Sequence, residues 1–118
     1  MRNHHVLLIS IFTITLLGNS YLSFAEEIPI PRTMAGDKGR YFLLEKKKQG
    51  TTIITLHKRI GVDSVGYSKS EINCKSKQIR ELGYSEDSAK AIKENSSKWF
   101  DLVAGSSKSD LAKFVCKG

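Results

Sequence analysis

From Val6 to Leu17 the chain is apolar apart from Ser10, Thr13 and Thr15, and no later stretch matches it. Arg2, His4 and His5 precede this run, Gly18-Asn19-Ser20 end it, and Ser23-Phe24-Ala25 places small residues three and one before Glu26. A basic head, an apolar core and a small-residue exit follow the order of a cleavable secretory signal, over residues 1–25. The core is shorter than the roughly 20 residues of a membrane span, so the pattern predicts no transmembrane segment after cleavage.

Past Glu26 the pattern changes to short alternating runs. Residues 26–39 hold Pro29, Pro31, Gly36 and Gly39 without a sustained period and read as an extended leader with one short edge strand. Arg40–Glu45 and Thr51–Ile60 read as two strands, the second rich in β-branched residues, joined by Lys46-Lys47-Lys48-Gln49-Gly50 at a hairpin tip. In the second strand Ile54, Leu56 and Ile60 share one face and Ile53, Thr55, His57 and Arg59 the other, which predicts one drier face. After a loop at Gly61–Gly66, Tyr67–Cys74 alternates, with Ile72 and Cys74 opposite Lys69, Glu71 and Asn73. A strand over 75–82 turning at Gly83, a short helix within 85–95 and a last strand at Trp99–Val103 complete the sheet. Ser107-Lys108-Ser109-Asp110 resembles a capping box, and Leu111, Phe114 and Val115 follow at helical spacing, predicting a helix over about 108–117. The fold class expected is α+β: a small antiparallel sheet of about four to five strands carrying a C-terminal helix, as one domain over 40–118.

Charge narrows the partners. The chain has 19 Lys and Arg; without Arg2 these stand against 12 Asp and Glu and give the exported part a net +6. Such a surface attracts anions. Beyond the inner membrane those are anionic glycan, lipopolysaccharide, lipid headgroups and acidic proteins, and no nucleic acid is expected there. Lys46, Lys47, Lys48, Lys58, Arg59, Lys69, Lys75, Lys77 and Arg80 form the candidate binding patch. The alternative is that strand lysines only discourage edge-to-edge aggregation.

Cys74 and Cys116 are the only cysteines. Two cysteines in a small exported domain usually pair. The loop of about 43 residues thus closed is stabilised by roughly 4 kcal/mol. Free thiols, or one catalytic thiol, are the other options; no Cys-x-x-Cys supports redox exchange. The bridge would pin the helix to a strand.

Catalytic signals are sparse. His57 is the one histidine past the signal, too few ligands for zinc, and no cofactor motif is present. Gly-x-Ser-x-Gly and Ser-x-x-Lys are absent. A small hydrolase would need His57 in a pocket beside an acid and a serine. Trp99 and Phe100 read as core anchors beneath the C-terminal helix.

Gly66-Tyr67-Ser68, Ile72-Asn73-Cys74, Arg80, Trp99, Gly105-Ser106, Leu111 and Val115-Cys116 together resemble the surface-adhesin protein E family, and equally a wider group of short exported proteins of Gram-negative bacteria. The resemblance spans Arg40 to Cys116. It implies an antiparallel sheet with a disulfide-tethered C-terminal helix, and an adhesin-like role, the adhesin member binding host matrix proteins and forming dimers. This chain departs from that member in lacking a lipid-anchor cysteine and in its short N-terminal sheet region. The expectation is a non-catalytic binding module, periplasmic or secreted, for an anionic or protein partner. The alternative is a periplasmic inhibitor or accessory factor of an envelope enzyme or complex, inserting the Gly61–Gly66 loop.

Overall fold

The computed structural model describes residues 26–34 and 36–117, so the signal segment lies outside the described residues. Among the described residues six strands are present: β1 (Ile28–Pro29), β2 (Arg40–Gln49), β3 (Thr52–Ile60), β4 (Val65–Asn73), β5 (Gln78–Ser85) and β6 (Phe100–Asp101). They are followed by one helix, α1 (Ser107–Val115). Neighbours in sequence pair antiparallel throughout, giving a sheet in the order β1 to β6. The sheet is therefore larger than the four to five strands expected. The leader supplies β1, and Ile30 just after it enters the core.

The lysine run does not form the hairpin tip. Lys46, Lys47 and Lys48 pair with Thr55, Ile54 and Ile53, and the turn is the two-residue Gly50-Thr51, with Gly50 at a positive φ of 63°. A two-residue turn with a left-handed glycine suits a hairpin's twist. Lysine tolerates the strand because its alkyl stem lies along the surface while its head stays in water.

The face of β3 that meets the core is also not the all-aliphatic one. Leu43, His57 and Ser68 are register partners, as are Ile53, Ile72 and Ile79. Ile53, Thr55 and His57 thus lie on the helix side. Ile54 and Leu56 line a groove on the opposite side with Glu71 and Arg80. Both faces are partly covered, so alternation along β3 does not by itself tell which face meets the core. The chain after β5 returns across the second face, where Ile92 lies close to Gly83. A Cβ at Gly83 would come within 2.5 Å of the Ile92 side chain, so glycine is needed there for close approach rather than for a turn. β5 continues through it to Ser85, beside a bulge in its pairing with β4. The helix expected within 85–95 is a single 3₁₀ turn, Ala89–Ala91, and the last strand is only Phe100–Asp101.

α1 packs Leu111, Ala112 and Val115 onto Tyr41, Leu43, Ile72, Ile79 and Ile30, with Phe114 partly buried at the margin. Trp99 and Phe100 are not in this cluster: Phe100 is exposed, and Trp99 lies under the Arg80 guanidinium, 4.9 Å from the ring centre. The cap is Ser106, whose Oγ accepts the Ser109 N–H at 3.1 Å, one residue before the position expected. That frees Asp110 for another task. Its buried carboxylate accepts from Arg32 Nε at 2.7 Å, from the Thr33 N–H at 3.1 Å and from Thr33 Oγ1 at 2.7 Å. The helix is thus tied to the leader at its first turn. At its other end Cys116, the C-cap, is disulfide-bonded to Cys74 just past β4. Among the described residues no helix is long and apolar enough to cross a membrane.

A nine-residue helix is marginal alone, so the covalent tie should carry much of the stability. Breaking it, by reductant or by Cys74→Ala with Cys116→Ala, is expected to cost about 4 kcal/mol. Urea unfolding of oxidised and reduced protein checks this; an unchanged midpoint after complete reduction would show that the helix docks without the bond.

Candidate functional site

The nine candidate cations do not form one surface. The sheet divides them. Lys46 and Lys48 project on the helix side of β2 and Lys47 on the other, as their partners Thr55, Ile53 and Ile54 require.

On the face away from the helix, Lys47, Lys69 and Arg80 line a groove of about 470 Å³ together with Glu45, Glu71 and Glu94. Its charges are matched. Arg80 Nη2 lies 2.7 Å from Glu71 Oε1, and Lys69 Nζ 2.6 Å from Glu94 Oε2. Glu71 also accepts from Thr52 Oγ1 at 2.7 Å. Partial burial pushes the Glu71 carboxyl up, but the bonds from Thr52 and Arg80 outweigh it and hold the group below its ordinary value. Lys69 and Arg80 are thus spent within the fold, while Lys47 shares the groove with Glu45 without an ion pair among the described residues.

Lys58 and Arg59 are also engaged. Lys58 pairs with Glu27 and lies 5.8 Å from the Phe42 ring centre. Arg59 pairs with Asp37 at 2.9 Å and donates to the Tyr41 hydroxyl at 3.0 Å. Asp37 accepts from Tyr41, from the Gly39 N–H and from Arg59, and these bonds hold its carboxyl far below the ordinary range. Lys77 adopts a positive φ of 58° in the turn between β4 and β5 and borders a separate hollow beside Leu102.

On the helix side the balance is different. Beyond the C-cap of α1 the β2–β3 hairpin runs on uncovered, leaving a groove of about 540 Å³. Its floor is Ile53, Val115 and the Cys74–Cys116 bridge. Its rim carries Lys46, Lys48, Lys75 and Lys117, and among the described residues no Asp or Glu lines it. Among the described residues none of these four ammonium groups has an ion-pair partner. The groove can therefore hold a ligand with negative charge at the rim and an apolar portion on the floor.

Three of the expected cations come together here, and Lys117 joins them. Its signal was present: each cysteine is followed by a lysine, so closing the bridge brings Lys75 and Lys117 to one place. Nothing local marked Arg32, Thr33 or Asp110 as partners, because their contacts span 77 and 78 residues.

His57 faces the Tyr41 ring at 6.5 Å between centres, and its Nδ1 meets no hydrogen-bond partner among the described residues. Among the described residues no group of three or more His, Cys, Asp or Glu is placed to hold a metal ion. Comparison with models of protein families, with curated proteins and with solved structures finds no match.

Burial, and secondarily the charge of Lys108, lowers the His57 imidazole from 6.5 to about 4. The fold thus favours neutral His57. Its contribution is complete above pH 6.5, declines as the unfolded chain takes up a proton below that value, and levels off near pH 4. The loss is on the order of 3 kcal/mol. His57→Phe is expected to flatten the pH dependence of urea stability between pH 6.5 and 4. An equal slope in both proteins would place the acid sensitivity elsewhere.

Proposed function

We propose that this chain is an exported, non-catalytic binding module, acting in the periplasm or outside the cell, that holds an anionic partner in the groove between the β2–β3 hairpin and the end of α1. One observation carries this reading: four lysines without ion-pair partners among the described residues ring an apolar floor that no acid lines. The second groove argues the same way by contrast, since its three cations are balanced by three carboxylates. A small domain stapled by a disulfide fits an oxidising compartment. The net charge of the exported part fits attraction to anionic surfaces. The resemblance to the surface-adhesin protein E family supports an adhesin-like role within this reading.

A second reading, an inhibitor or accessory factor of an envelope enzyme, is favoured by Val62. This side chain is 79 % exposed in the loop between β3 and β4, where an apolar tip suits insertion into a partner's cleft. It predicts a stoichiometric complex insensitive to salt.

Lys46→Glu with Lys48→Glu is expected to lower affinity for a sulfated polysaccharide column by about tenfold or more and to weaken its salt dependence. Lys90→Glu with Lys98→Glu makes the same change in net charge on exposed residues outside the groove and is expected to have a much smaller effect. Equal losses in the two variants would reduce the interaction to net charge and sink the groove as a site.

A further inference from the structure

We propose that the outer edge of β2, from Leu44 to Gln49, takes an extended acidic segment of a protein partner as an added strand. This deepens the groove reading and rests on it.

The two edges of the sheet are finished differently. At the far edge β6 pairs with Gln78 and Ile79 of β5. Beyond it the Glu81 and Leu82 carbonyls accept the N–H groups of Ser97 and Asn95, and the Glu81 N–H is taken by Ser97 Oγ. At the near edge β1 pairs only with Phe42 and Leu43, and the Ile30 N–H reaches the Tyr41 carbonyl. From Leu44 onward nothing among the described residues pairs with β2 on that side, and Glu45 to Gln49 are exposed. An antiparallel strand bonds each neighbour through alternate residues, so half the backbone groups here face outward. Such an edge is a template for another strand.

Charge selects the occupant. Lys46 and Lys48 turn toward the cationic groove, while Lys47 shares the other face with Glu45, so an added strand would find unopposed ammonium groups on its groove side. Pairing with β2 of a second copy would set this lysine run against itself, and like charges directly opposite are unfavourable. Carboxylate side chains reverse that sign. A lipid or glycan could answer the lysines but has no repeating N–H and C=O to extend the ladder. A polypeptide with acidic side chains satisfies both.

The probe is an eight-residue peptide of alternating glutamate and valine, titrated into the disulfide-bonded protein and followed by amide shifts. A copy N-methylated at its four central residues keeps the charge and removes the ladder. Shifts along Leu44–Gln49, with affinity about tenfold or more weaker for the methylated copy, are expected. Equal affinity of the two peptides would overturn strand addition while leaving the anionic groove standing. No peptide binding alongside retention on sulfated polysaccharide would do the same. Failure of both probes would remove the groove reading as well. A concentration-dependent dimer broadening the same amides without peptide would assign the edge to a second copy and overturn the proposal.

Discussion

Everything in this fold depends on holding a short helix against one end of a sheet. A meander of six strands has no second layer of its own, and a nine-residue helix has little stability by itself. Together they bury Ile72, Ile79, Leu111 and Val115. The helix is fastened at both ends by different means. At its first turn, buried Asp110 meets Arg32 and Thr33, a link that is strongest while the carboxylate is ionised. Burial pushes that carboxyl up, but its hydrogen bonds outweigh the penalty and hold it below its ordinary value. At its C-cap, the bond from Cys116 to Cys74 is covalent and indifferent to charge. One fastening orders the leader with the helix, and the other orders the turn between β4 and β5.

The place of the cationic groove follows from where the helix stops. β2 and β3 pair from Arg40–Ile60 to Gln49–Thr52, well past the segment that α1 covers. The uncovered stretch begins beside Val115 and Cys116. At that end Lys117 follows Cys116 and lines the same groove as Lys75. The staple that stabilises the fold is thus also the floor of the groove, which ties the integrity of the site to oxidation of the two cysteines.

The elements readable from the sequence were those whose signal is local. Ile72 and Cys74 share a face because strand side chains alternate, and they do lie on the helix side. Leu111 and Val115 recur at helical spacing and do face the sheet. The antiparallel order and the Cys74–Cys116 bridge were equally legible. What was not legible depended on distant chain. The strand runs through three lysines because Ile53, Ile54 and Thr55 pair with them, against lysine's weak preference for strands. The bulge between Leu43 and Glu45 changes which side later residues take, so parity counted from Tyr41 fails by Lys46. Trp99 reads as core by its size, but the Arg80 side chain that covers it comes from β5, distant in sequence.

The candidate site shows the same division more sharply. Read along the chain, Lys46, Lys69, Lys75 and Arg80 are equivalent basic positions. Folding separates them by supplying carboxylates to some and not to others. Glu71 lies opposite Arg80 across two strands, and Glu94 reaches Lys69 from the returning segment, so that face is neutralised internally. Among the described residues the groove beyond the helix receives no such acids, and it gains a lysine from each side of the disulfide. Like charges around an apolar floor repel one another, and the fold provides no counter-charge among its described residues to relieve them. A ligand that does so satisfies charges the fold leaves unmatched. The asymmetry between the two faces, rather than the total charge, is therefore what singles out one groove from a uniformly basic sequence.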